Sequence, residues 1–291
     1  MTEAASEQPF EVPVGDGALA GHRGGEGAPA LVLHGGPAVP DYTEGLAGEL
    51  ADLFATFRYT QRGVLPSTAG GPYSIESHAS DAMAVLDHFG VDRAWAVGHS
   101  WGGHLALHLA VRSPERLLGV IAIDPLGAYG DVFAELGENL TRVLTPEQQA
   151  RVDEVEELRR AGKASSDDLR ERGALLWPQY FADPATVVPM PPRVGPECSR
   201  ETNASISGHY ARGTLVDGLP GVRLPALFVH GVLDPLPLAS VERTSALIAG
   251  ARLETIPACG HFPWWERPGE VGRIVAEYLR SFDPDPPRRE P

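Results

Sequence analysis

The sequence predicts an α/β fold: a doubly wound, mostly parallel sheet with an inserted helical cap. Three observations carry that expectation. Short apolar or β-branched runs at 30–33, 56–60, 94–97 and 118–123 read as strands covered on both faces. Helical stretches, notably 77–89 and 101–112, lie between them, and strands alternating with helices build a parallel sheet whose ligands sit at the carboxyl ends of the strands. After Asp124-Pro125 the alternation stops for about ninety-five residues and then resumes.

Taken in order, residues 10–14 and 18–22 form a hairpin around the tight-turn signal Gly15-Asp16-Gly17, and the four strands and two helices above follow. Charged helical segments at 145–161, 167–177 and 200–215 replace them in the insertion, broken into pieces by Pro178, Pro184, Pro189, Pro191, Pro192 and Pro196. Strands at 226–229 and 253–256 and helices at 238–248 and 268–279 complete the sheet. The core is thus 1–125 with 221–282, the cap 126–220, and the charged, proline-rich 283–291 a disordered tail. No internal repeat is visible.

Composition excludes several functions. With 39 acidic against 24 basic residues the net charge is −15, a field that repels nucleic acid. Lys163 is the only lysine, a bias assigned to the coding genome and given no functional weight. The start, MTEAASEQPFEV, has neither the basic nor the apolar part of a secretory signal, and no apolar run could span a bilayer, so a cytoplasmic protein without membrane contact is expected. Cys198 and Cys259 lack metal-like or redox-like spacing and read as free thiols.

Gly98-His99-Ser100-Trp101-Gly102 contains G-x-S-x-G, a weak signal alone. Here an apolar strand runs into it and a helix runs out, the strand-to-helix turn that presents a nucleophilic serine on a strained backbone flanked by small residues. A serine hydroxyl needs a base, and the base needs an acid to orient it; on such a sheet the order is serine, acid, histidine. Asp234 follows the strand at 226–229, and His261 follows the strand at 253–256. Asp124 also ends a strand and is the rival acid. His104 and His108 stand four apart on one helix, but Leu105 occupies the glutamate position of H-E-x-x-H and no third ligand is evident, so no metal is expected. For the developing oxyanion, one N–H donor follows the nucleophile, at Trp101, and the second falls in His34-Gly35-Gly36-Pro37, at Gly36.

With those residues in place the chain resembles the α/β-hydrolase superfamily over nearly its whole length, and within it the proline iminopeptidase-like branch. Leu33-His34-Gly35-Gly36-Pro37, the tryptophan after Ser100, and Gln61-Arg62-Gly63 carry that resemblance. The branch also contains amide, ester and lactone hydrolases. Thr60 stands where the family's D-Q-R-G has aspartate, and Ala38 replaces the glycine after H-G-G-P. In the cap, Ile206-Ser207-Gly208-His209-Tyr210 is similar to E-x-H-Y, with Ser207 where a glutamate would hold a substrate ammonium. Gly35, Ser207, His209, Tyr210 and Trp264 are the residues expected to touch substrate.

The expectation is a serine hydrolase that cleaves an amide or ester of a small molecule through an acyl-enzyme, without cofactor. The missing glutamate favours a secondary metabolite, ester or lactone over an N-terminal prolyl peptide. Epoxide hydrolases and haloalkane dehalogenases would place aspartate where Ser100 stands. A non-catalytic sensor on the same fold is the alternative of another class. A carrier-tethered substrate would need a basic docking surface, for which Arg159, Arg160, Lys163, Arg170 and Arg172 are candidates.

Overall fold

The computed structural model describes residues 7–192 and 195–282. Its centre is an eight-stranded sheet of β1 (Gln8–Val14), β2 (Gly17–Gly24), β3 (Ala28–Leu33), β4 (Phe54–Tyr59), β5 (Ala94–His99), β6 (Leu117–Ile123), β7 (Ala226–Gly231) and β8 (Arg252–Ile256). The spatial order is β1-β2-β4-β3-β5-β6-β7-β8, with the β1–β2 and β2–β4 pairs antiparallel and the others parallel.

Both faces of the central strands are apolar, which is why they read as continuous runs. Leu31, Leu33, Ala96, Val120 and Phe228 point to one face, where the helices Ile75–His88 and Trp101–Arg112 pack. Ala30, Val32, Val97, Ile121 and Val229 point to the other, against the helices Glu44–Leu50 and Glu270–Arg280. The strand order reverses between β3 and β5. Loops leaving these two strands therefore diverge and leave a crevice at their carboxyl ends, where ligands bind in open α/β sheets.

Between β6 and β7 the chain forms the helices Val132–Thr141, Pro146–Arg160, Ser166–Leu176, Pro196–Ala211 and Thr214–Gly218. The single helix expected at 200–215 is two. Pro196 opens the first within its initial turn, and Gly213, at φ +65°, reverses the chain before the second. The helix expected from Ser77 starts at Ile75, because the Ser74 hydroxyl caps it by accepting from the Ser77 N–H. Helices Glu44–Leu50 and Val132–Thr141 add to the elements the sequence predicts. The former carries Gly45 and Gly48, weak helix formers, yet a Cβ at Gly45 would lie 2.9 Å from Trp264 Cδ1, so glycine permits the close approach. The tail expectation at 283–291 lies outside the described residues.

Candidate active site

Ser100 terminates β5 at φ +56° and ψ −118°, a conformation few non-glycine residues adopt, and the helix Trp101–Arg112 begins at the next residue. Its flanking glycines are sterically required. A Cβ at Gly98 would lie 2.1 Å from the Gly102 carbonyl oxygen, and one at Gly102 would lie 2.0 Å from the Leu33 carbonyl oxygen. The described residues with positive φ other than glycine are Ala38, Ser100, Asp124 and Ala258. All four sit in loops leaving the carboxyl ends of parallel strands. Backbone strain is thus concentrated on one rim of the sheet, around Ser100.

His261 Nδ1 lies 2.8 Å from Asp234 Oδ2, and both residues are buried. The other Asp234 oxygen accepts from the Leu236 N–H at 2.8 Å. The rival acid is turned elsewhere: Asp124 Oδ1 accepts from the Gly231 N–H at 2.8 Å and lies 3.1 Å from His230 Nδ1. His230 Nδ1 is also 3.9 Å from Asp234 Oδ2, so an imidazole separates two buried carboxylates. Burial pushes Asp124 and Asp234 up to about 6 and His261 down to about 4. Burial also opposes the His230 cation, but Asp124 and Asp234 outweigh it and raise His230 to about 9. Asp124, His230 and Asp234 could converge on a cation, but the bonds to Gly231, Leu236 and His261 already occupy three of their four carboxylate oxygens.

Two hydrogen-bond circuits brace this rim. In the first, Trp101 Nε1–H donates to Gln61 Oε1 at 2.7 Å, and the Gln61 side-chain amide donates to the His34 carbonyl at 2.8 Å. The Gln61 N–H donates to His34 Nε2 at 3.0 Å, so His34 holds its proton on Nδ1 and donates it to the Gly35 carbonyl at 2.9 Å. The three sequence runs that carry the family resemblance are thereby tied together. In the second, the Gly35 N–H donates to the Tyr42 hydroxyl at 2.9 Å, that hydroxyl donates to His99 Nδ1 at 2.8 Å, and His99 Nε2–H donates to the His261 carbonyl at 2.7 Å. Burial keeps His99 well below the usual imidazole range, consistent with the neutral ring this circuit requires. Gly35 also lies against Ser100, since a Cβ there would sit 2.7 Å from Ser100 Cβ.

The other expected substrate contacts are placed differently. Ser207 is exposed on the helix Pro196–Ala211. His209 is buried, with Nε2 3.0 Å from Glu76 Oε1, Nδ1 3.0 Å from Thr214 Oγ1, and its ring against His108. Tyr210 packs on His104 and donates its hydroxyl proton toward the Gly127 carbonyl. These two side chains dock their helix on the helix Trp101–Arg112. His104 and His108 complete that seam, with their Nε2 atoms 3.3 Å apart and His104 Nδ1 2.8 Å from the Gly127 carbonyl. Trp264 is buried beneath His99, stacked on Tyr42. Of the candidate docking cations, Arg159 and Arg172 pair with Glu156 and Arg170 with Asp167, so this surface is of mixed charge. A groove of about 650 Å³ beside β1 and β2 contains none of Ser100, Asp234 and His261.

Sequence reasoning gave no role to Tyr42, His99, His230 or Glu266. His99 occupies a variable position of the serine motif, and only its contact with His261, 162 residues away, reveals its part.

Residues 29–268 match the family model described as alpha/beta hydrolase fold. A 2-hydroxymuconate semialdehyde hydrolase from Pseudomonas putida is 29% identical over 287 aligned residues, covering 90% of each chain. A proline iminopeptidase from Lactobacillus delbrueckii subsp. bulgaricus is 23% identical, covering 88% of this chain and 91% of that one. Among solved structures, an alpha/beta fold family hydrolase from Bacillus anthracis str. Sterne superposes with a TM-score of 0.74 at 17% identity, covering 94% of this chain and 99% of the other.

Proposed function

Because the chain belongs to the α/β hydrolase fold family and is a hydrolase, we propose that it cleaves an amide or ester bond of a small molecule through an acyl-enzyme on Ser100. The observation that carries this reading is the 2.8 Å contact between His261 and Asp234 on the same strand-end rim as the strained Ser100. His261 Nε2 takes the Ser100 proton as Oγ attacks the carbonyl carbon, and later returns it to the leaving amine or alcohol. Asp234 holds Nδ1–H and stabilises the imidazolium. The Gly35 N–H is committed to Tyr42, which leaves Gly36 as the loop donor to the oxyanion beside the Trp101 N–H. Water, activated by His261, then releases the acid. We read the helices between β6 and β7 as a cap over this site.

A free amino terminus is not the recognition feature. Ser207 is exposed, and Glu197 and Glu201 are surface residues within 3.9 Å and 3.7 Å of Arg200. None of these positions offers a buried carboxylate to an ammonium group. A second reading follows from the 29% identical relative: a substrate like 2-hydroxymuconate semialdehyde.

A parallel assay of purified protein on short p-nitrophenyl esters, simple lactones, prolyl-naphthylamide, its N-acetyl derivative and 2-hydroxymuconate semialdehyde tests these readings. Ester or lactone turnover with kcat/KM at or above that of prolyl-naphthylamide supports the first. Efficient prolyl-naphthylamide cleavage abolished by N-acetylation contradicts it, and turnover of the semialdehyde alone selects the second.

A further inference from the structure

We propose that Glu266 is a positioning residue that couples the segment Tyr180–Ala182, from the helical insertion, to the His261 loop, so that the seating of that segment sets the reactivity of the histidine. The inference rests on the serine-hydrolase reading for its kinetic consequence, but its structural part stands without it.

Glu266 is buried, yet its two oxygens face different parts of the chain. Oε2 accepts from the Ala182 N–H at 2.7 Å, in the insertion. Oε1 accepts from the Gly260 N–H at 3.0 Å and lies 3.5 Å from the Phe262 N–H, on either side of His261. Burial raises the Glu266 pKa, while the N–H groups of Ala182, Gly260, Phe262 and Asp183 favour its charged form.

Two further contacts close the same junction. The His261 N–H donates to the Tyr180 carbonyl at 2.7 Å, so the backbone of the catalytic histidine is held directly by the insertion. Phe181 stacks on Phe262 and Trp265 with ring centroids 5.2 Å and 6.3 Å away. Gly260 is in contact with both partners, since a Cβ there would meet the Tyr180 carbonyl oxygen at 2.4 Å and Glu266 Oε1 at 2.8 Å. A carboxylate suits this place because it offers acceptors in two directions and no donor. Glutamine satisfies one side only and turns an NH₂ group toward N–H donors on the other. Coupling through a shared element is reciprocal, so loosening either side must loosen the other.

The test is amide hydrogen exchange on the full-length protein and the variants Glu266→Gln, Phe181→Ala and Gly260→Ala, read together with the rate of Ser100 labelling by a fluorophosphonate. In Glu266→Gln, exchange at both Ala182 and Gly260–His261 is expected to rise at least 10-fold. Labelling and kcat are expected to fall about 10-fold, with KM within twofold. Phe181→Ala, which leaves Glu266 intact, is expected to raise exchange at Gly260 and His261 from the insertion side, and Gly260→Ala to raise it at Ala182. If Glu266→Gln does not fold, Glu266→Asp, which keeps the charge but shortens the reach to the two sets of N–H groups, is read in its place against the same criteria. Exchange that rises on one side only, or unchanged labelling despite faster exchange, overturns the proposal. Absence of labelling in the wild type refutes the serine nucleophile instead and leaves the exchange result to decide the coupling.

Discussion

The Tyr42 hydroxyl lies 2.8 Å from His99 Nδ1 and joins the Gly35 loop to the histidine that precedes Ser100. Removing it in Tyr42→Phe leaves the Gly35 N–H and His99 Nδ1 without their partner in a buried setting, a penalty of roughly 1 to 3 kcal/mol. Chemical denaturation should show that loss. Because the same loop carries Gly36, the proposed oxyanion donor, kcat should fall about 10-fold with KM little changed. Unchanged kcat in a destabilised variant would separate the circuit from catalysis.

The two candidate acids differ in their partners: Asp234 meets His261, whereas Asp124 meets Gly231 and His230. Asp234→Asn keeps the side-chain shape but favours the wrong His261 tautomer, and kcat should drop by roughly 10² to 10⁴-fold. Asp124→Asn should cost far less. Steady-state kinetics that rank the two in the opposite order would move the acid to β6.

His230 makes stability depend on pH in a defined window. Its pKa is raised from the ordinary 6.5 to about 9, so its contribution is complete below 6.5 and disappears as pH rises through 9. The raised carboxyls of Asp124 and Asp234 act in the same direction, but their window closes near 6. His261, lowered to about 4, acts the opposite way between 4 and 6.5. Between pH 6.5 and 9 the loss is therefore that of His230 among these four. Denaturant midpoints should fall across that interval in the wild type and flatten in His230→Asn. A parallel decline in both proteins would assign the effect elsewhere.

Gly102 admits no side chain, since a Cβ would overlap the Leu33 carbonyl oxygen at 2.0 Å. Gly102→Ala must displace β3 from the start of the helix Trp101–Arg112, with a stability loss of at least about 2 kcal/mol. Thermal unfolding measures it. A variant with wild-type stability would mean that the turn is looser than its geometry.

Much of this was legible in sequence because its causes are local. Strands buried on both faces leave unbroken apolar runs, as in β3 and β5, and the turn at Ser100 demands small residues at fixed spacing. Asp234 and His261 could be placed because each follows a strand by a few residues. What escaped depends on contacts distant in sequence. Glu266 reaches Ala182 across 84 positions and Tyr42 reaches His99 across 57, and no periodicity records such pairs. The similarity of Ser207-Gly208-His209-Tyr210 to a substrate-binding run pointed toward the ligand, whereas His209 and Tyr210 fasten one helix to another. A short motif fixes residue types, and packing decides where they face. The break at Gly213 was missed because helical spacing continues on both sides of it.

The proposed acyl-enzyme chemistry requires Ser100 as the nucleophile. Intact-mass measurement after treatment with a fluorophosphonate, followed by peptide mapping, reads that requirement at the residue itself. One adduct is expected, carried by Ser100, with parallel loss of hydrolase activity and no adduct in Ser100→Ala. An active protein that takes up no label, or a stoichiometric adduct on any other serine, would contradict it.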